Sequence, residues 1–418
     1  MFQVLSRSWA LLIGMMLLMV GNGLQGTLLG VRGGIEGFST FEMSIVMAAY
    51  FAGFLGGSRL APEMIRRVGH VRVFAALASF ISAILILYPA FAHPVAWAFG
   101  RVVIGFCFSG VYVTAESWLN NSSDNANRGK ALSVYMIVQM FGIVSAQALL
   151  AMGDASGYAL FILSSVLVSI SFAPILLSIS PTPAFDTAKP MPLRTLLETS
   201  PLGCFGMFLL GGVFSAQFGM SAVYGVAAGL TIAQISIFVS SIYVGALLMQ
   251  YPIGWFSDRM DRRLVIMIVA AAGGIFSLLA MFFDYYFAAL LVAAFVIGGT
   301  SNPLYSLLIA YTNDYLDPDD MAAASGGLIF INGMGAITGP LVTGWMMDSF
   351  GPQAFFGMIA LLMLILASYA IYRMTQRSRA GIDDGAYAPV LPSASPVAVE
   401  VASEYYIETA LEDETNET

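Results

Sequence analysis

Charge is scarce in this sequence: only 10% of its 418 residues are Asp, Glu, Lys or Arg, against roughly a quarter in a soluble domain. That shortage excludes a water-soluble fold. With 58% of the residues hydrophobic, too few charges remain to cover the apolar surface. Cysteine and histidine number two each, and Cys107 and Cys204 lie far apart in apolar runs. Neither a disulfide framework nor a Cys/His metal site is expected. The chain also lacks G-x-x-x-x-G-K-[ST], H-E-x-x-H and G-x-S-x-G. A nucleotide-driven pump, a zinc peptidase and a serine hydrolase lose their usual sequence support, so no enzymatic activity and no cofactor are expected.

What is there is apolar sequence in runs of about twenty residues, the length that crosses a hydrocarbon core of roughly 30 Å as a helix. The runs are continuous rather than alternating, which excludes a membrane barrel. They fall near 9–31, 41–61, 72–92, 95–119, 130–152 and 157–179, then 201–224, 233–256, 264–284, 286–311, 323–347 and 353–374. The first run is too long for a signal-peptide core and is read as a retained span. An all-α membrane protein with twelve transmembrane helices follows, its main non-protein partner the lipid bilayer.

Fifteen of the 17 Lys and Arg fall on one side of this arrangement: Arg7, then the loops after runs 2, 4, 6, 8 and 12. Arg32 stands alone on the other side, and Arg101 lies inside run 4. Short cytoplasmic loops carry the basic excess, so both termini are expected in the cytoplasm. The net charge of −8 is a property of the tail, since residues 380–418 hold nine of the 25 acids and no Lys or Arg.

The chain also repeats itself. At an offset of 192, Gly37, Ser44, Ile45, Gly53 and Leu55 meet Gly229, Ser236, Ile237, Gly245 and Leu247. At 193, Gly105, Tyr112, Asn120 and Gly142 meet Gly298, Tyr305, Asn313 and Gly335. Six spans per half with the same starting side is a parallel repeat about the membrane normal. The expected organisation is a first six-helix half at 1–179, a central cytoplasmic loop at 180–200, a second half at 201–375 and an acidic tail at 376–418. Pro389, Pro392 and Pro396 among small residues make the tail read as disordered, with Val397–Leu411 the part able to form a short helix.

Polar groups inside apolar runs mark function or interhelical packing. Arg101 is the costliest of them, since a buried guanidinium must face a partner or water. On an ideal helix Tyr112 is about 20° and Glu116 about 60° around from Arg101, so all three can line one cavity face. Glu116 can titrate there, or bridge to Arg128 or Lys130. Asn22, Gln25, Gln139, Gln217, Asn302, Tyr305 and Asn332 are the remaining polar insertions. Each is open between solute contact and interhelical hydrogen bond.

The loop after run 8, GWFSDRMDRR over 254–263, resembles motif A of the major facilitator superfamily, written G-x-L-a-D-R-x-G-R-R, with Asp261 in place of its second glycine. The resemblance implies a charged latch built from Gly254, Asp258, Arg259, Arg262 and Arg263. The matching first-half loop, PEMIRRVGHVR over 62–72, keeps Gly69 and its basic residues but has Arg66 where the Asp belongs. Arg101 followed by Gly105 resembles motif B. GAITGPLVTG over 335–344 resembles motif C, though it sits in run 11 and not run 5, where Gln147 replaces its proline. ESWLN at 116–120 and NRGKALSVYM at 127–136 resemble the YcaD-like branch.

Membership would imply a monomeric secondary transporter of the bacterial inner membrane, moving a small organic solute by rocker-switch alternating access, with protons as the coupling ion to test. No nucleic-acid partner is implied. Runs 1, 4, 7 and 10 line the cavity in this superfamily, which favours Asn22, Gln25, Arg101, Tyr112, Glu116, Gln217, Asn302 and Tyr305 over Gln139 and Asn332. The alternative is a transport-inactive sensor or scaffold that retains the fold, for which the degenerate first motif and the long acidic tail speak.

Overall fold

A computed structural model describes residues 2–122, 128–174, 191–376 and 386–417. The first half comprises α1 (Phe2–Ile35), α2 (Thr40–Val68), α3 (His70–Ala90), α4 (Pro94–Ser122), α5 (Arg128–Met152) and α6 (Ala159–Ser171). A seven-residue helix, α7 (Leu193–Thr199), leads into the second half. There follow α8 (Pro201–Ala227), α9 (Ile232–Ser257), α10 (Arg262–Phe283), α11 (Phe287–Asn313), α12 (Pro318–Phe350) and α13 (Ala354–Gln376). Eleven of these are long and apolar enough to cross a membrane, and α6 is a shorter apolar helix. The expected end of the sixth span and most of the 180–200 loop lie outside the described residues.

Burial separates the helices into two layers. In α1, α4, α8 and α11 the most apolar stretch is 83%, 72%, 78% and 61% buried, while in the other long spans it is 44–56% buried. The first four are therefore the inner helices. The rest turn Phe, Leu and Ile outwards, as with Phe80, Phe141 and Phe282, where lipid would solvate them.

The internal repeat is visible atom by atom. Gly37 and Gly229 both adopt positive φ, 77° and 73°, which only glycine accepts without strain. Two residues later Ser39 with Glu42, and Thr231 with Gln234, form matching capping boxes that start α2 and α9. Gly53 and Gly105 let α2 and α4 touch backbone to backbone: a Cβ on Gly53 would overlap the Val102 carbonyl, and one on Gly105 the Tyr50 carbonyl. Gly245 and Gly298 do the same for α9 and α11, against the carbonyls of Phe295 and Ile242.

The face bearing the Lys- and Arg-rich loops is here called the basic face. On the opposite face the halves meet directly. Gly30 and Gly34 of α1 abut Ala222 and Val226 of α8, and Gly344 of α12 abuts Ser44 of α2. Arg59, placed by sequence in the loop after the second run, is instead part of α2, with its guanidinium 4.3 Å from the Phe330 ring centroid.

The tail departs in part from the sequence reading: the helix that the sequence allows at Val397–Leu411 forms, within a longer one, and the segment before it is placed against the other helices. Residues 386–395 run into the protein without regular structure apart from a turn at Pro392–Ser393, and Pro396–Glu417 form a helix, α14. This helix packs on α4 and α5 of the first half and on α11 and α12 of the second. Composition alone argued for disorder, but Val390, Leu391, Ala394, Ala398, Val399, Val401, Ala402 and Tyr406 are buried together. They are spaced so that the acids Glu400, Glu404 and Glu408 stay off the most buried positions.

Candidate functional site

A cavity lies between the halves and is walled by both. Asn22 of α1, Tyr50, Phe51 and Phe54 of α2 and Tyr112 of α4 face Phe214 and Phe218 of α8, Tyr243 of α9, Asn302 of α11 and Asn332 of α12. Its apolar surface is largely aromatic. The Phe214 and Phe218 rings stack at 5.8 Å, and Phe218 reaches Tyr50 at 5.6 Å across the two halves. Sequence reading singled out none of these rings. Their signal was an i, i+4 spacing, Tyr50 with Phe54 and Phe214 with Phe218.

Arg101 is fully buried one layer behind that wall. It donates from Nη1 to Gln25 Oε1 at 3.0 Å and from Nη2 to the Met47 sulfur at 3.4 Å, and its guanidinium stands 4.5 Å from the Tyr50 ring centroid. Gln25 donates on to Asn22 Oδ1 at 3.1 Å, and the Asn22 amide to the Tyr112 hydroxyl at 3.4 Å. A buried chain thus runs Arg101–Gln25–Asn22–Tyr112 and ends at two groups that line the cavity. Its Nε has no hydrogen-bond partner among the described residues, and no ion pair to Arg101 appears among them.

The expectation that Arg101, Tyr112 and Glu116 share one cavity face does not hold. Tyr112 lines the cavity, Arg101 lies behind it, and Glu116 belongs to a separate region near the basic face. Fifteen residues along one helix separate Arg101 from Glu116 by about 22 Å, so facing the same way did not bring them together. The bridge expected to Arg128 falls on a side chain outside the described residues, and no ion pair between Glu116 and Lys130 appears among the described ones. It accepts from the Tyr135 hydroxyl at 3.3 Å and from the Ser395 N–H of the tail at 2.9 Å.

In the second half the outcome is mixed. Asn302 lines the cavity, and its amide donates to the Gly298 carbonyl at 3.3 Å. Gln217 sits in a single π-turn, Ala216–Met220, within α8 and exchanges hydrogen bonds with Ser301 at 3.0 and 3.1 Å. Such turns concentrate at functional sites, but here the amide is satisfied within the second half. Tyr305 is buried outside the cavity wall. Asn332, which the span assignment had disfavoured, does line it.

The motif A loop is assembled on the basic face. Asp261 caps α10 through the Arg263 N–H at 2.9 Å and pairs with the Arg263 guanidinium at 2.7 Å. The substituted Asp261 therefore does a cap's work in place of a glycine turn. Arg259 stacks on Trp255 at 4.3 Å. Arg262 is buried and forms its ion pair with Asp314, just past the end of α11, with Asp258 farther away at 3.9 Å. Sequence reading missed Asp314, although it directly follows the repeated Asn313. Burial pushes the Asp258 carboxyl up from its ordinary value, partly offset by the Tyr387 N–H it accepts and by Arg262 and Arg259. The first-half loop makes no such bridge in the contacts described: Glu63 pairs with Arg66 and Arg67 at 2.8 and 2.6 Å on the exposed side of its own helix.

Two six-helix halves, a cavity between them and a charged loop joining neighbouring helices define a membrane transporter rather than an enzyme. A family model described as Major Facilitator Superfamily matches residues 203–394, and one described as Sugar (and other) transporter matches residues 27–190. The chain is thus similar to transporters of the major facilitator type along most of its length. It is 27% identical over 356 residues to the uncharacterized MFS-type transporter YcaD of Escherichia coli O45:K1, covering 84% of this chain and 91% of that protein. The fold resembles the crystal structure of the nucleoside transporter NupG, with a TM-score of 0.71 and 15% identity over 89% of this chain and all of that one. It also resembles a variant of the Escherichia coli fucose:proton symporter FucP, with a TM-score of 0.58 and 15% identity over 89% of this chain and 99% of that one.

Proposed function

We propose that the chain is a secondary active transporter that moves a small neutral or anionic organic solute by rocker-switch alternating access, with the basic face in the cytoplasm. The observation that carries this reading is Arg101: a fully buried cation with no paired carboxylate among the described residues, relayed through Gln25 and Asn22 to an aromatic cavity walled by both halves. An uncompensated guanidinium behind the wall makes the cavity electropositive, which favours solutes offering an acceptor and disfavours cations. The rings supply flat apolar faces for the rest of the solute. Proton symport in one fold neighbour makes protons the coupling ion to test first, with Glu116 as the carboxylate.

A solute found by thermal-stability screening should stabilise the wild-type protein. Arg101→Lys should fold and reach the membrane, yet lose that stabilisation and the flux in proteoliposomes, because Lys lacks the planar fork that holds Gln25 beside Tyr50. Normal flux by a well-folded Arg101→Lys protein would overturn the role given to Arg101. The alternative, a transport-inactive sensor or scaffold, has the inserted tail on its side. Solute binding without flux, in both the full-length and tail-less proteins, would decide for it.

A further inference from the structure

We infer that residues 386–410 are an autoinhibitory plug: the protein's own C-terminal segment, inserted from the basic face, closes the cavity on that side and must withdraw for the cavity to open there. The inference rests on the transport reading for its functional meaning, but the docking itself does not.

The first observation is where the segment ends up. Its innermost residues, Leu391, Pro392 and Ser393, form part of the wall of the central cavity together with Asn22, Tyr112 and Asn302. The tail is thus at the site, and not merely over its mouth.

The second is that it grips both halves. Ser395 N–H donates to Glu116 of the first half at 2.9 Å. In the second half, Val390 N–H donates to the Ser306 hydroxyl at 2.9 Å, which donates back to the Val390 carbonyl at 3.0 Å. The Asn313 amide donates to Ser403 Oγ at 3.2 Å. Farther out, Val399 is completely buried, and α14 separates α4 and α5 from α11 and α12.

The third is that the segment is wired into the latch. Tyr387 N–H donates to Asp258 at 2.8 Å, and the Tyr406 hydroxyl donates to Asp314 at 2.7 Å. The Arg262 guanidinium lies 5.5 Å from the Tyr406 ring centroid. The same carboxylates that hold Arg262 therefore also hold the tail.

Together these observations fix what the segment does mechanically. The halves already touch on the opposite face through α1 with α8 and α2 with α12. Alternating access needs the basic-face ends of the two halves to approach and that contact to open. A helix about 10 Å across, lying between those ends, blocks the approach, while Leu391–Ser393 block solute passage to the basic face. The docked state is one the transport cycle cannot run through.

The test needs no solute. In a background with the buried native cysteines replaced, Cys107→Ser and Cys204→Ser, Met140→Cys places one thiol on the cavity wall. An impermeant maleimide is added to the basic face of membrane vesicles. Labelling should be slow in the full chain and faster by about tenfold or more when the chain stops after Gly385, since docking must dominate the equilibrium to shield the thiol. Val399→Asp in the full chain should accelerate it similarly. A second protein carrying Asn313→Cys and Ser403→Cys should form a disulfide that keeps a tail cut at an engineered protease site in 377–385 attached, until reductant is added.

Equal labelling rates with and without the tail, in proteins that remain monodisperse, would overturn the plug. So would failure of the Asn313→Cys/Ser403→Cys pair to cross-link. Absence of solute flux from the tail-less protein, with the labelling difference intact, would count against the transport reading and leave the plug standing.

Discussion

Replacing Asp314 by Asn tests whether the latch is the buried pair seen here. Asp314 and Arg262 have side chains 4% and 2% exposed and are in direct contact. Removing one member of such a pair strands the other, at a cost of roughly 3–5 kcal/mol. Two features offset part of that loss: Asp258 lies 3.9 Å from Arg262, and the Ser257 hydroxyl accepts from its Nε at 3.3 Å. The expected destabilisation of Asp314→Asn is therefore at the lower end, about 3 kcal/mol. Arg66→Ala is the control, because its side chain is 66% exposed beside Glu63, and an exposed pair contributes at most about 1 kcal/mol. The assay is a double-mutant cycle in mixed micelles, with Asp314→Asn, Arg262→Gln and both together. The double variant should be more stable than additivity predicts by about 2–3 kcal/mol, since the second change removes the stranded charge. Additive costs, or an Asp314→Asn cost no larger than that of Arg66→Ala, would refute the assignment of the latch to this pair.

Glu400 gives a pH-dependent readout of the tail. Burial in the docked segment, with Glu404 beside it, raises its pKa from the ordinary value. The docked state binds that proton more tightly than the free tail, so docking is favoured in acid and weakens as pH rises through the raised value. Glu400→Gln should slow labelling of Met140→Cys, with a gap from wild type that widens as pH rises from the ordinary carboxylate range to the raised value and then stays constant; faster labelling in Glu400→Gln would contradict the sign. Gly298→Ala should destabilise the protein by about 1–3 kcal/mol in thermal unfolding, because its Cβ would enter the Ile242 carbonyl. Gly326→Ala, with nothing near its Cβ, should change little, and equal effects would mean that helix propensity and not close approach sets the cost. For topology, a cysteine at exposed Asp348 should label from outside intact cells and one at exposed Arg194 should not; the reverse pattern would invert the orientation.

The spans and the repeat were legible because both are written in local pattern. Continuous apolar runs report membrane length, and recurring glycines report places where two backbones must touch. Gly53 and Gly245 needed no knowledge of their partners to be noticed. The site was less legible, because it depends on distances between segments. Helical angle put Arg101 and Glu116 on one side of α4 but carried no information about depth. The ring wall was missed because Phe and Tyr in an apolar span look the same whether they face lipid or cavity: Phe51 faces the cavity, while Phe80 is exposed. The tail was misread because its low hydrophobicity was judged against water, whereas its small residues need only fill a cleft already formed by other helices. Asp314 escaped notice because it falls outside the motif that names its partner.

The glycine crossings have a consequence for how force is carried. Where Gly53 meets Val102, and Gly245 meets Phe295, there is no side chain to bend or slide between the two helices. Each crossed pair behaves as a stiff beam, with compliance left only where the halves meet. The 29 residues of α2 make a lever of about 43 Å, so a tilt of roughly 10° about its outer end would swing the far end by about 7 Å. A displacement too small to separate side chains at the pivot thus becomes, at the other end, a movement comparable to the width of a polypeptide.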